Sequence, residues 1–336
     1  PSFSDISAPD DRLIVVHSFS KSFLMTGWRL GWLLLPAGHL DAVGKLIEFN
    51  SSCAPVFVQR GGLQALAMAD AFVPPLVARL RAGRDALCPA LAALIAPSFT
   101  EPEAVLTAAG VPLQHVVLPE PFLIADAVIP ERADLVVVGN PTNPTGVLHP
   151  REAILALRRP GRLLVVDEAF ADAVPGEPES LAGLGLPDVV VLRSLTKTWS
   201  LAGLRVGYAL GDPAVLARLA AARPHWPLGT LQLEAIAACC TPAAVAEAQA
   251  GAVELTKMRT EMSAALTGLG LPVVDGRAPF VSFVVPDASL MRKRLYANGI
   301  AVRRCDTFIG MGDGYLRAAV KAQWPVLVDA ISEALR

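Results

Sequence analysis

The chain has 336 residues, 53% of them hydrophobic and 18% charged, with a formal net charge of −2. That length exceeds what one core usually serves and points to two lobes or domains. The near-neutral charge leaves no basic footprint for nucleic acid or an anionic membrane, so a small metabolite is the expected partner.

The first apolar run, Leu13–Val16, has strand length and precedes the segment from Ser18 to Gly31, which leads into a second run at Leu33–Leu35. Further along, Leu135–Val138, Leu163–Val166 and Val189–Leu192 read as buried strands alternating with Ala/Leu/Arg-rich helices, the pattern of βαβ units around a mainly parallel sheet. Chemistry-bearing residues follow each strand directly: Asn140 to Gly146, then Asp167-Glu168, then Ser194 to Lys197. Open α/β sheets bind ligands at the carboxyl ends of their strands, so these three clusters are expected to converge.

From about Trp226 the pattern changes to helices over Leu231–Cys240 and Ala243–Leu266. Strands over Phe280–Val285, Ile300–Arg304 and Tyr315–Val320 follow, and then a final amphipathic helix. This predicts a second, smaller α/β lobe, with the Pro/Gly-punctuated stretch 223–229 as hinge. No apolar run approaches the roughly 20 residues of a membrane span. No basic-then-apolar start marks a signal peptide, and the opening Pro1 suggests a trimmed chain or part of a longer one. The cysteines (Cys53, Cys88, Cys239, Cys240, Cys305) form no C-x-x-C pair, which fits a reducing cytoplasm. His17, His39, His115, His149 and His225 lack ligand spacing, so no metal is expected.

An internal repeat stands out. Ser18, Lys21, Gly27, Arg29 and Gly31 recur at matched offsets as Ser194, Lys197, Gly203, Arg205 and Gly207. Two copies suggest fusion or duplication rather than a solenoid.

A lysine that forms an imine with a phosphorylated aldehyde needs anion-binding groups nearby, and Ser194, Thr196 and Arg205 surround Lys197 with hydroxyls and a forked cation. A surface turn with a solvated lysine fits the same spacing. Asp167 ends a buried strand, where an unpaired carboxylate is costly; a protonated pyridine nitrogen or an arginine would satisfy it. The turn-rich loop from Gly139 to Gly146 can fix the Asn143 amide against a ligand, or serve only as a tight loop.

In order and approximate spacing, Asn-Pro-Thr-Asn143-Pro-Thr-Gly, Val-Val-Asp167-Glu-Ala-Phe and Ser194-Leu-Thr-Lys197 with Gly-Leu-Arg205-Val-Gly resemble the fold-type I aminotransferases that use pyridoxal 5'-phosphate. The resemblance implies an α/β fold with a large, mainly parallel-sheet domain and a smaller C-terminal domain. It makes Lys197 the Schiff-base lysine, Asp167 the partner of the pyridine nitrogen and Asn143 a donor to the ring oxygen. Ser194, Thr196 and Arg205 would surround the phosphate, and Arg317 would clamp the substrate carboxylate. Phe170 stands where many relatives have a tyrosine, so one hydrogen bond to the ring oxygen is expected to be missing. A homodimer in the cytoplasm is implied as well.

Within that superfamily, residues from about 97 onward resemble the threonine-phosphate decarboxylase of cobalamin biosynthesis, a neighbour of histidinol-phosphate aminotransferase. The resemblance rests on Pro97-Ser-Phe-Thr-Glu-Pro, Asp167 to Asp172 with Pro175-Gly-Glu, and Gly299 to Phe308. It implies decarboxylation of O-phospho-L-threonine to an aminopropanol phosphate, with class I/II transamination (histidinol-phosphate- or aspartate-like) as the alternative. Arg303 and Arg304 are the candidates for the substrate phosphate, unless they are a solvated edge.

Residues 1–94 instead resemble an internal, lysine-bearing segment of an aspartate-type aminotransferase. Three domains are therefore expected: 1–94, a cofactor-binding large domain at 95–224 and a small domain at 225–336. No Gly-Ser or Gly-Ala loop precedes a helix before Pro97, where relatives hold the phosphate. Three outcomes stay open: an active decarboxylase or aminotransferase, a catalytically incomplete fusion or truncated homologue, or a subunit completed by another chain. Lys21, with Ser18, Ser20 and Arg29, is read as a vestigial second site because no Asn/Asp pair precedes it.

Overall fold

The computed structural model describes residues 8, 11, 13–51, 54–87, 91–221, 223 and 227–336, with the backbone alone at 21, 26, 49–51 and 81–87. Cys53, Cys88 and, within the expected hinge, Pro224, His225 and Trp226 lie outside the described residues. The chain divides into two compact units, one of residues 1–86 with 219–234, the other of 87–218 with 235–336.

In the first unit, β1 (Val15–Ser18) pairs antiparallel with β2 (Gly31–Leu34) around α1 (Phe19–Ser22). Helices α2 (Leu40–Ser51), α3 (Val56–Ala67) and α4 (Ala69–Leu87) follow. Phe19 lies edge-on to Trp32, which stacks on His17 at 4.7 Å.

The second unit carries a six-stranded sheet built from β3 (Ala92–Ala96), β4 (Leu113–Val117), β5 (Leu135–Gly139), β6 (Leu163–Asp167), β7 (Val189–Ser194) and β8 (Gly207–Gly211). Its order is β4-β3-β5-β6-β7-β8, parallel except for the final β7/β8 pair. Helices α5 (Glu101–Ala108) and α6 (Arg151–Leu155) lie in its crossovers. Strands covered on both faces are continuous apolar runs. Accordingly Val136, Val138, Leu164 and Val166 are at most 1% exposed, each burial contributing about 1.5–3 kcal/mol.

Helices α7 (Pro213–Ala221), α8 (Thr230–Cys239) and α9 (Pro242–Gly268) lead to a three-stranded antiparallel sheet. Its strands are β9 (Phe280–Val284), β10 (Arg303–Arg304) and β11 (Tyr315–Ala319), in the order β10-β11-β9. With α10 (Ala288–Ala297) and α11 (Trp324–Ala334) it encloses a separate core around Met262, Leu266, Phe283, Leu295, Leu316 and Ile331.

Two sequence expectations change. A boundary at 94/95 would cut β3, an internal strand bonded on both sides; the units divide at 86/87 instead, and 87–218 and 235–336 fall in one unit. The strand expected over Ile300–Arg304 shrinks to its last two residues, because only Arg303 and Arg304 find partners on β11.

The two lysine segments fold alike. The amide of Phe19 donates to Leu30 O at 3.1 Å and that of Leu195 to Val206 O at 3.2 Å. The amide of Ser20 donates to Ser18 Oγ at 3.1 Å and that of Thr196 to Ser194 Oγ at 3.2 Å. Left-handed backbone recurs at Leu24 and Ser200 and at Arg29 and Arg205, with φ of 55°, 53°, 50° and 55°. A Cβ on Gly31 would stand 2.4 Å from His17 O and one on Gly207 2.6 Å from Arg193 O, which explains the repeated glycine. Their surroundings differ: among the described residues β1 pairs with β2 alone, whereas β7 sits between β6 and β8.

Candidate active site

Parallel strands deliver their carboxyl ends to one edge of the sheet. The turn after β5 brings Gly139, Pro141 and Asn143 to a cleft there. Strand β6 contributes Asp167, the turn after it Ala169 and Phe170, and the hairpin after β7 Lys197. Ser98, Phe99 and Pro102, which follow β3, complete the wall of the cleft.

Asp167 Oδ1 accepts the Ala169 amide at 3.1 Å. Burial pushes its carboxyl up, opposed by that hydrogen bond and by the Lys197 ammonium. Among the described residues no arginine pairs with Asp167, so the site lacks the salt bridge that would make this acid merely structural. Adjacent Glu168 plays the structural part instead. It is 1% exposed and accepts from Ser180 Oγ, the Leu181 amide and Arg193 Nη1 at 2.6, 2.7 and 2.9 Å.

Lys197 Nζ stands 5.5 Å from the centre of the Phe170 ring. Phe170 packs edge-on against Phe280 at 5.2 Å, and the Arg317 guanidinium lies 4.6 Å from the centre of Phe280. Arg317, on β11, also donates through Nη1 to Asn143 Oδ1. Two aromatic rings therefore lie between the two cations.

Not every expected residue joins this cleft. Ser194, Thr196 and Arg205 do not line it. The Thr196 hydroxyl donates to Val206 O at 3.3 Å, closing the hairpin. Arg205 is exposed and its Nη1 donates to Ala202 O at 3.4 Å. Arg303 and Arg304, adjacent on a strand, face opposite ways. Arg303 lies over the Phe308 ring at 5.6 Å, while Arg304 pairs with Asp306 and borders a separate cleft with Asp287, Arg292 and Asp313. The expected phosphate clamp is thus split, and neither arginine lines the Lys197 cleft. In the first unit, Ser18 Oγ is occupied by the Ser20 amide, Arg29 takes the left-handed conformation, and the Lys21 side chain lies outside the described residues.

Sequence reasoning missed Phe99 and Phe280. An aromatic residue three positions beyond a parallel strand could have flagged Phe99, but β3 itself, an Ala-rich run, went unnoticed. Phe280 has no local signal; the β9/β11 pairing places it beside Arg317.

The sequence matches the family model of aminotransferase class I and II over residues 4–117 and 122–331. A histidinol-phosphate aminotransferase of Mycobacterium tuberculosis is 66% identical over 247 residues, 74% of this chain and 68% of the relative. A threonine-phosphate decarboxylase of Sinorhizobium sp is 35% identical over 219 residues, 64% of this chain and 62% of the relative. The crystal structure of the histidinol-phosphate aminotransferase from Clostridium acetobutylicum shares the fold, with a TM-score of 0.64 at 23% identity over 77% of this chain and 80% of that one. Identity therefore favours the aminotransferase alternative over the decarboxylase that sequence analysis placed first.

Proposed function

The chain belongs to the aminotransferase class I and II family, whose members use pyridoxal 5'-phosphate, and we propose that it moves an amino group between a phosphorylated amine of the histidinol-phosphate kind and a 2-oxo acid. The observation that carries this is the convergence of Asn143, Asp167 and Lys197 on one cleft. The substrate class rests on the 66% identical relative of that name.

The ring end of the cofactor fits the residues present. Asp167 is a half-buried acid with no arginine partner among the described residues, a place that a protonated pyridine nitrogen would fill, and the cleft walls include aromatic and small residues. For the phosphate end, Ser194 and Arg205 are the groups the hairpin offers. When bound, the cofactor supplies an electron sink for the bond broken at the substrate carbon.

The chain's own residues do the rest. Lys197 Nζ would hold the cofactor covalently and, once displaced by the substrate amine, would be free to move the proton at the substrate Cα. Asp167 would keep the pyridine nitrogen protonated, and the Asn143 amide would donate to the ring oxygen. The Arg317 fork binds a carboxylate or a phosphate with the same geometry, so one cation serves both the amino acid and the phosphorylated amine. Assembly as a cytoplasmic homodimer belongs to the same proposal.

Decarboxylation of O-phospho-L-threonine is the second reading, favoured by the 35% identical decarboxylase. The test incubates purified chain and pyridoxal phosphate with histidinol phosphate and a 2-oxo acid, or with O-phospho-L-threonine. New amino acid from the first mixture supports transamination; carbon dioxide from the second, with no amino acid from the first, reverses the order. Neither product would leave an incomplete homologue.

A further inference from the structure

The turn that carries Asn143 is held from behind by a buried histidine that plays no part in the reaction above. His149 is 1% exposed. Its amide donates to Asn140 Oδ1 at 2.8 Å, and Asn140 Nδ2 donates back to His149 O at 3.2 Å, so one side chain closes the loop across nine residues. Its Nε2 stands 3.1 Å from Thr142 Oγ1, and that hydroxyl lies 2.8 Å from Gly139 O. Thr142 is the neighbour of Asn143, and Gly139, Pro141 and Asn143 line the cleft.

Proton counting fixes the tautomer. A carbonyl only accepts, so the single Thr142 proton goes to Gly139 O and Nε2 must donate to Thr142 Oγ1. The other ring nitrogen, Nδ1, is buried and has no partner among the described residues. An unpaired lone pair there costs less than an unpaired N–H, so the ring is neutral with its proton on Nε2.

We propose that His149 is a positioning residue for Asn143: its Nε2–H holds the Thr142 hydroxyl and thereby fixes the turn that presents the Asn143 amide to the cofactor ring oxygen. The inference rests on Lys197 carrying pyridoxal phosphate. The residue acts through Thr142 and touches neither cofactor nor substrate, so its effect belongs in the spectrum of the bound cofactor more than in melting behaviour. A firmly held donor at the ring oxygen stabilises the ionised form, and a loosened one raises the pH at which the spectrum changes.

The experiment loads the chain with pyridoxal phosphate, verifies attachment at Lys197 by borohydride reduction and peptide mapping, and titrates the absorbance against pH. His149→Leu removes the ring donor at similar bulk, Thr142→Val removes only the hydroxyl, and His149→Gln keeps an N–H within reach of Thr142. The first two should raise the midpoint by about one pH unit, the equivalent of one hydrogen bond, and together no further. His149→Gln should stay near wild type. If His149→Leu does not fold, Thr142→Val decides alone. Labelled protein whose midpoint is unmoved in the folded variants overturns the role of His149 while leaving the cofactor site standing. Wild type that takes no label at Lys197 overturns both.

Discussion

Arg317 Nη1 donates to Asn143 Oδ1, joining β11 to the turn after β5 across 174 residues of chain. A guanidinium has no acceptor, so the contact fixes which way the amide points: Oδ1 to Arg317, Nδ2 left to donate elsewhere. The group proposed to clamp substrate and the group proposed to contact the cofactor are therefore one unit.

Arg317→Lys keeps the charge and loses the fork. We expect KM for the amino donor to rise about 10- to 100-fold, the range of a charge-assisted hydrogen bond. Arg304→Ala, whose partner is Asp306 in a different cleft, should leave steady-state kinetics unchanged.

Lys197→Ala should abolish borohydride-trapped cofactor, and Lys21→Ala should leave it intact. The hairpins share several backbone bonds, and Lys197 lines a cleft with Asn143 and Asp167. Label on Lys21 in the Lys197→Ala protein would show that the hairpin suffices without the acid.

Asp167→Ala or Asp167→Asn should retain covalent cofactor and lose most turnover, at least about 100-fold if the electron sink depends on a protonated ring. The acid also makes a stability prediction. Burial raises its folded-state pKa, so the stability it contributes is full below the ordinary carboxylate range and is lost as pH rises through the folded value. Without cofactor, Asp167→Asn should therefore melt above wild type at pH 7, with the gap closing in acid.

Phe170→Tyr should lower the pH midpoint of the bound cofactor's spectrum by restoring a hydroxyl donor. An unmoved midpoint would mean that packing against Phe280 holds the ring out of reach.

Burial lowers the His149 pKa to about 4. With the folded value depressed, the associated stability is present above pH 6.5 and is lost as pH falls through about 4. The loss should approach about 3 kcal/mol, from 2.5 units at 1.36 kcal/mol each. His149→Leu should lack this acid-dependent loss in denaturant titrations.

Local chemistry made much of the second unit legible. Continuous Val/Leu runs marked β5, β6 and β7, and the residues directly after them line the cleft. The Ala-rich run at 92–96 gave no such signal, because alanine suits helix as readily as strand; burial between β4 and β5 is what makes β3 a strand. The repeat was visible as spacing alone, and the shared left-handed residues and glycine contacts explain why those offsets recur.

By itself the sequence determined the family, the parallel sheet and the three clusters at its strand ends, because those follow from residue type and short-range order. Tertiary structure alone decided which arginine reaches the Asn143 turn. Arg303 and Arg304 are neighbours in sequence, yet strand alternation sends them to opposite faces, whereas Arg317 meets Asn143 from 174 residues away. It also decided that the Thr196 hydroxyl joins the Leu195 amide on Val206 O, closing the hairpin.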